Sequence, residues 1–163
     1  MVAEREAGAG AGAGGSGARS GRAGRAAAFV PQLADFAGEW RIERRIEDRR
    51  AAQILHFAGR ARFAPEGAGL RYREEGRLVL ADGSELVATR DYLWRRMGAR
   101  IAVTHADGSA FHVFDPAAPE ARHACGPDDY RVRYDFGRWP DWRAEWTVTG
   151  PRKDYTMSSL YRR

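Results

Sequence analysis

The sequence predicts an all-β protein: an antiparallel, up-and-down meander of about ten strands closed into a barrel, behind a disordered N-terminal tail. From Trp40 onward, apolar residues recur at every second position, and short turn-forming stretches separate these segments. No segment of residues 33–163 shows a convincing helical period. Closure into a barrel is favoured because it removes the unpaired strand edges that an open meander would expose.

Residues 1–32 are predicted to form the tail, and residues 33–163 to form one folded domain. The tail is nearly all Ala, Gly, Ser and Arg, so it cannot bury enough apolar surface to offset the entropy lost on ordering. It lacks the apolar core of a secretory signal, which leaves a transit peptide or a misassigned start site as alternatives. The remaining residues are numerous enough to bury a sizeable core.

Charge and cysteine content argue against several classes of partner. The chain of 163 residues has a formal net charge of +5 and one cysteine. Its basic residues are spread along the strands, without the dense patch of a nucleic-acid-binding protein. We expect no nucleic-acid partner, and no membrane partner because no apolar run reaches a spanning length. The lone Cys125 fits a cytoplasmic protein without an internal disulfide, and we expect its thiol to be buried. The sequence does not indicate an oligomeric state.

The strands follow one another with little between them. The first has a helical alternative, since Ile42 and Ile46 are four residues apart, but Trp40 and the later strands favour a strand. Inward-facing positions alternate with polar ones through residues 40–46, 55–63, 70–78, 86–94, 101–105, 111–115, 121–125, 130–136, 142–148 and 155–161.

Two hairpins contain the same tetrapeptide. Ala-Asp-Gly-Ser occurs at residues 81–84 and 106–109. A three-residue loop with its glycine in the left-handed conformation suits both. In the first hairpin this loop sets Glu74 opposite Arg90, and in the second it sets Val103 opposite Phe111. A slip of one residue would move apolar side chains to the charged face.

Two other turns begin with Gly-Pro, in which proline presets the turn dihedral. They occupy residues 126–129 and 150–153. Read as four-residue loops, they set Cys125 opposite Tyr130 and Trp146 opposite Met157. Both pairings agree with the faces assigned from the alternation.

The predicted interior is polar and aromatic. All six tyrosines and four of the five tryptophans fall on inward positions. Seven further polar residues share those positions, namely Arg44, Glu74, Arg90, His105, Asp115, His123 and Ser159. The predicted outward histidines are His56 and His112. Because buried ion pairs contribute little to stability, this composition favours a lined pocket, with a purely structural Glu74–Arg90 bridge as the alternative.

We therefore predict a barrel that binds a small polar or anionic ligand, with an aromatic group as one option. The predicted ligand-binding residues are Arg44, Tyr72, Glu74, Arg90, Tyr92, His123, Tyr130, Tyr134, Trp146 and Tyr155. A lumen smaller than about 300 Å³ would weaken this interpretation.

Three alternatives remain open at this point. The same pocket could belong to an enzyme of the isomerase or cyclase type, with Glu74 or Asp115 as general base and His123 or a tyrosine as acid. His123 could instead be the axial ligand of a haem, as in barrels of the nitrobindin type. The interior could also be merely packed, in a partner-binding module. No spacing resembles a metal site, and the cofactor is left open.

The segment Gly38-Glu39-Trp40, at the start of the first strand, resembles the glycine-x-tryptophan motif of lipocalins and related calycin proteins. The resemblance implies that Gly38 and Trp40 close the barrel floor and that a basic side chain beyond the last strand packs on the tryptophan. Arg162, or its neighbour Arg163, is placed to supply that cation. The chain departs from lipocalins in its polar interior and in having no disulfide pair.

Four further segments carry a second resemblance. "YREEGRL", "FHVFDP", "DDYRVRYDF" and "GPRKDYTMSSLY" are similar to a bacterial family of small single-domain proteins of unknown function. This resemblance covers nearly all of residues 33–163. It implies a calycin-like barrel and no particular activity.

Overall fold

The computed structural model describes residues 29–163, so the disorder predicted for residues 1–28 lies outside the described part. Residues 29–32, which the prediction placed in the tail, pack on the domain. The Phe29 ring stacks on Trp139 with 5.3 Å between centroids, and Pro31 is fully buried.

The fold is all-β, as predicted: ten antiparallel strands follow a short 3-10 helix, Leu33–Phe36. The strands are β1 (Gly38–Asp48), β2 (Gln53–Glu66), β3 (Gly69–Val79), β4 (Glu85–Met97), β5 (Arg100–His105), β6 (Ala110–Phe114), β7 (Glu120–Cys125), β8 (Asp128–Arg138), β9 (Asp141–Gly150) and β10 (Lys153–Arg162).

The meander is nearly closed into a barrel. The strands lie in the order β6-β5-β4-β3-β2-β1-β10-β9-β8-β7, in which β1 pairs with β10 and returns the sheet on itself. Backbone hydrogen bonds do not join β6 to β7, so the predicted barrel is nearly closed, with a seam between these two strands. The linker after β6 turns back on itself at Asp115 and Ala118. Its Pro119 carbonyl then accepts a hydrogen bond from the Tyr134 amide of β8, at 2.8 Å.

The first Ala-Asp-Gly-Ser hairpin has the predicted register. Glu74 lies opposite Arg90 and Tyr72 opposite Tyr92. The loop glycine, Gly83, has a φ of 83°, the left-handed conformation that the loop requires.

The second hairpin slips after its first pairs. Thr104 pairs with Ala110, but Val103 pairs with His112 and not with Phe111. Phe111 is the extra residue of a β-bulge, which shifts every later pairing by one. The predicted pairing of Val103 with Phe111 is therefore wrong, and so is the outward assignment of His112, which is buried.

One of the Gly-Pro turns matches its predicted register and the other does not. Trp146 pairs with Met157 as predicted. Cys125, however, pairs with Asp128 and not with Tyr130, because the turn contains only two residues. The shift of two positions preserves which face each side chain occupies. Cys125 ends up at the tip of β7 with its thiol exposed, contrary to the expectation of burial.

One end of the barrel is plugged by the 3-10 helix, which the sequence did not predict. Phe36 is fully buried there, with five other aromatic rings within 5.8 Å of its own, measured between centroids. Trp40 closes the floor beneath it, donating its Nε1–H to the Phe36 carbonyl at 2.8 Å. The plug leaves the opposite end of the barrel as the way into the lumen.

The cation on the floor tryptophan is Arg163, whose guanidinium carbon lies 4.2 Å from the centre of the Trp40 ring. Its Nη2 donates to the carbonyls of Asp35 and Ala37, at 2.8 and 2.7 Å. The barrel-closing role given to Arg162 is corrected, because Tyr161 faces inward and its neighbour must face outward. Arg162 instead lies 3.4 Å from the Glu43 carboxylate.

We expect Arg163→Ala to lower the free energy of unfolding by about 1–2 kcal/mol, because it removes a cation–π contact and two charged hydrogen bonds. Urea denaturation followed by tryptophan fluorescence would measure the change. Arg162→Ala is the matched control and should cost under about 0.5 kcal/mol, since its ion pair is exposed. Equal losses in the two variants would contradict the assignment.

Candidate functional site

The lumen above the floor holds a cavity of about 280 Å³. Nine of the ten residues predicted to bind a ligand line it: Arg44, Tyr72, Glu74, Arg90, Tyr92, Tyr130, Tyr134, Trp146 and Tyr155. Alternation along each strand brings them there, since every second side chain points to the inner face. The cavity is just under the size considered sufficient from the sequence, so it suits only a small molecule.

A buried ion pair forms one side of the cavity. Arg44 of β1 and Glu74 of β3 are 6% and 2% exposed. The guanidinium donates two hydrogen bonds to the carboxylate, at 2.7 and 2.8 Å, and its Nε donates to the Ser159 hydroxyl at 2.7 Å. The Tyr72 hydroxyl donates to the same carboxylate and lies 3.1 Å from the Tyr161 hydroxyl. Each group in this network has a partner, as a buried network requires.

The partner of Glu74 differs from the one predicted. Arg90 lies opposite Glu74 in the sheet, yet its Nε is 3.5 Å from the carboxylate, whereas Arg44 makes the close bidentate contact. Arg44 reaches Glu74 across β2, where the small Gly59 and Ala61 occupy the intervening inward positions. Sequence reasoning considered only the adjacent strand and so missed this pair.

The ion pair is charged at neutral pH. Burial alone would raise the pKa of Glu74, but the hydrogen bonds and charge of Arg44, with smaller contributions from Arg90 and Tyr72, lower that pKa below its ordinary value. Burial likewise opposes the charge of Arg44, and the Glu74 carboxylate reverses the effect and raises its pKa. With a depressed pKa and its oxygens already occupied, Glu74 is a poor general base.

Arg90 is the cation with unused hydrogen-bonding capacity. Its side chain is 35% exposed, and Nη2 donates only to the sulfur of Met157, at 3.3 Å. Thioether sulfur is a weak acceptor. Three charged residues line the cavity: Arg44, Arg90 and Glu74. Their formal charge is +1 (two cations less one anion), and Glu74 makes its close contact with Arg44. The cavity therefore favours an anion.

Two phenols stand in the same part of the cavity as Arg90. Burial raises the pKa of both Tyr92 and Tyr155, while the Arg90 charge acts to lower it in each. Both phenols are thus neutral donors at physiological pH, available to an acceptor in the cavity.

An aromatic wall covers the side of the lumen next to the β6–β7 seam. The rings of Phe111 and Trp146 are 5.1 Å apart between centroids and inclined by 4°. Tyr92 continues the row, 5.5 Å from Phe111 and inclined to it by 12°. All three rings line the cavity, so the lumen presents aromatic surface as well as charged groups.

His112 belongs to the cavity lining, although the sequence placed it outside. It is 7% exposed, and its Nε2 lies 2.8 Å from the Tyr134 hydroxyl. Burial, followed by the nearby His123 and His105, lowers its pKa to about 3, so its imidazole is neutral. A signal was present in the sequence: Phe114, a large apolar residue at the supposed outward parity, indicates a slip within the short strand.

Three polar residues, Asp128 and Tyr130 of β8 and Lys153 of β10, form a clasp at one side of the barrel mouth. The Lys153 ammonium lies 2.7 Å from the Asp128 carboxylate and 2.7 Å from the Tyr130 hydroxyl. Asp128 reaches over β9 at Gly150, where a Cβ would come within 2.9 Å of the Asp128 Cγ. Hydrogen bonds to Asp128 and Tyr130 raise the pKa of Lys153. Because Asp128 neutralises Lys153, the clasp orients Tyr130 without adding net charge.

The sequence of the barrel matches a known protein family. A model of a family of unknown function, DUF6314, matches residues 36–163. The chain belongs to DUF6314. The match runs from the plug residue Phe36 to Arg163, which covers the whole barrel and agrees with the family resemblance expected from the sequence. No curated protein matches the chain.

Two predicted site residues of this DUF6314 domain lie away from the cavity. His123 is absent from the lining and packs against Phe111 and Tyr130, with 5.3 and 6.2 Å between ring centroids. Asp115 accepts a hydrogen bond from the Ala117 amide at 2.8 Å, in the linker after β6. A haem ligated by His123, or a general base at Asp115, therefore has no geometric support in the lumen.

The described part of the DUF6314 domain, residues 29–163, offers no group of three or more His, Cys, Asp or Glu side chains that could hold a metal ion. Over the same residues, no helix is long and apolar enough to cross a membrane.

Proposed function

We propose that the barrel binds a small organic anion, with polar and aromatic side chains around it, and that Arg90 holds the negative charge. The observation that carries the proposal is the environment of Arg90. Its side chain lines the cavity, and its hydrogen-bond acceptor is the sulfur atom of Met157. A guanidinium with free N–H groups in a partly desolvated site is well suited to an oxyanion.

The composition of the cavity supports the same conclusion, while its size restricts the ligand. A volume of about 280 Å³ lies just below the roughly 300–1,000 Å³ typical of small-molecule sites. Its walls combine apolar rings with a few convergent polar groups, which is the usual composition of such sites. On the basis of the strand order and the Gly38-Glu39-Trp40 floor, we also propose that the barrel is of the calycin type. The absence of nucleic-acid and membrane partners and a cytoplasmic location remain part of the proposal.

Binding is favoured over proton-transfer catalysis. A general acid or base works best with a pKa near the operating pH. In this cavity the pKa of Glu74 is lowered, burial raises the pKa of Tyr72 and of Tyr134 well above the ordinary value, and the pKa of His112 is about 3. All four pKa values are shifted further from neutral pH than the ordinary values of these side chains.

The test is a calorimetric titration of the full chain with a set of small organic anions: butyrate, benzoate and methyl phosphate. We expect at least one to bind. Arg90→Gln should weaken its binding by about 10- to 100-fold, which corresponds to the loss of a charged hydrogen bond of about 1.5–3 kcal/mol. Arg131→Gln is the matched control and should bind as the wild type does, since Arg131 lies on the outer face of β8 and pairs with Asp129.

The proposal fails in either of two ways. If the wild type binds none of the three anions, and native mass spectrometry of the purified protein detects no bound small molecule, the lumen is not a binding site. If Arg90→Gln binds as tightly as the wild type does, Arg90 does not hold the charge.

A further inference from the structure

We infer that the ligand is a monocarboxylate carried on a single aromatic ring. This inference rests on the proposed function, that of anion binding at Arg90. It adds the charge, the size and the ring character of the ligand, each from a separate feature of the cavity.

The charge follows from the ionisable groups of the lining. The formal charge of Arg44, Arg90 and Glu74 is +1, and these are the charged residues among those that line the cavity. A monoanion would neutralise it. A dianion such as a phosphate monoester would leave one negative charge without a counter-ion in a partly buried site, which is costly.

The donor arrangement suits the planar head of a carboxylate. Arg90 presents a planar guanidinium that can bind both carboxylate oxygens, and the phenols of Tyr92 and Tyr155 line the same cavity. One guanidinium and two phenols provide enough donors for two oxygens with four lone-pair sites. The Met157 sulfur, now the acceptor for Arg90, is readily displaced by a carboxylate.

The volume limits the body of the ligand to one ring. A dry protein cavity of about 150 Å³ accepts benzene. A lumen of about 280 Å³ therefore has space for one six-membered ring, a carboxylate and a small substituent. A fused two-ring system with its carboxylate would fill more than this volume and extend towards the mouth of the barrel.

The ring character follows from the aromatic wall and the floor. Four aromatic residues line the cavity on these sides: Phe111, Trp146, Trp142 and Tyr161. Phe111 stacks on Trp146 and Trp142 stacks on Tyr161, so a ligand ring would contact the edges and outer faces of these pairs. Aromatic pairs gain about 0.5–1.5 kcal/mol beyond the apolar area they bury, so an aromatic ring should bind more tightly than a saturated ring of similar size.

The experiment compares five matched probes by calorimetry on the full chain: benzoate, cyclohexanecarboxylate, benzamide, phenyl phosphate and 2-naphthoate. We expect benzoate to bind most tightly. Cyclohexanecarboxylate should bind about 3- to 10-fold more weakly. Benzamide and phenyl phosphate should bind at least about 10-fold more weakly, and 2-naphthoate should also bind more weakly than benzoate. In Trp146→Leu, the affinity for benzoate should fall close to the affinity for cyclohexanecarboxylate. In Arg131→Gln, the difference between the two affinities should stay as in the wild type.

The outcomes separate this inference from the function on which it rests. If cyclohexanecarboxylate or phenyl phosphate binds as tightly as benzoate and Arg90→Gln weakens that binding, the ligand class is wrong while anion binding at Arg90 stands. If 2-naphthoate binds as tightly as benzoate, the size limit is wrong. If no carboxylate and no phosphate binds, both the inference and the proposed function are overturned.

Discussion

Glu74→Gln is expected to lower the free energy of unfolding by about 3–5 kcal/mol, because it leaves the guanidinium of Arg44 buried without a counter-charge. Glu74 is 2% exposed and Arg44 is 6% exposed, so water cannot take over the role of the missing carboxylate. Chemical denaturation at pH 7, followed by tryptophan fluorescence and circular dichroism, would measure the loss.

A second variant distinguishes the cost of breaking the pair from the value of having it. Replacing both partners, as Arg44→Met with Glu74→Leu, removes the two charges together and should restore most of the lost stability, since apolar replacements of buried pairs are often neutral or stabilising. Arg45→Ala is the surface control: its pair with Glu47 is about half exposed and should be worth under about 1 kcal/mol. A double variant as unstable as Glu74→Gln would contradict this account.

The pH dependence of the same pair has a definite sign. Because the folded state holds the pKa of Glu74 below its ordinary value, the pair stabilises the fold fully above the ordinary glutamate pKa of about 4.3. That stability is lost as the pH falls through the lower folded-state pKa. Glu74→Gln should therefore approach the wild type in stability only under strongly acidic conditions.

The histidine at the β6 bulge should make the protein sensitive to moderate acid. The folded-state pKa of His112 is about 3, against about 6.5 in an unfolded chain. Between these values the unfolded state binds a proton that the folded state does not. The free energy of unfolding should then fall by roughly 1.4 kcal/mol per pH unit below about pH 6.5. Between pH 6.5 and 4.5 the expected loss from His112 is about 2–3 kcal/mol.

The measurement compares the wild type with His112→Gln, which cannot titrate but keeps a polar atom near the Tyr134 hydroxyl. The difference in unfolding free energy between the two proteins should change by about 2–3 kcal/mol over that pH range. His56→Gln is the control, since His56 is exposed on the outer face of β2, and its curve should run parallel to that of the wild type. If the stability curves of the wild type and His112→Gln run parallel, His112 has the same pKa in the folded and unfolded states, which would contradict the prediction.

The sequence was most informative where strands are long and their turns have strict requirements. The β3–β4 register followed from Ala-Asp-Gly-Ser, because Gly83 can adopt a left-handed φ that other residues avoid. The register predicted from the sequence was wrong where a strand is short. In β6, five residues long, one bulged residue outweighs the alternation, and His112 moved from the predicted exterior to the cavity.

The candidate site shows the same division. Strand parity alone brought Arg90, Tyr92 and Tyr155 to one face. Pairing beyond the adjacent strand could not be read in this way: Arg44 reaches Glu74 across β2 because the inward residues between them are small. His123 has the inward parity, yet it is absent from the cavity lining and packs beside Phe111 across the seam between β6 and β7.

The ten-stranded meander and the face on which most side chains lie follow from local properties of the chain, namely a two-residue period and turn chemistry. Which inward groups meet depends on how the strands are arranged in three dimensions. The Arg44–Glu74 pair, the Phe36 plug, the Arg163 contact with Trp40 and the burial of His112 all join residues that are distant in sequence or displaced by one bulge. Their positions depend on barrel curvature and side-chain reach, for which the sequence carries only partial signals: the basic pair Arg162–Arg163 and the apolar Phe114.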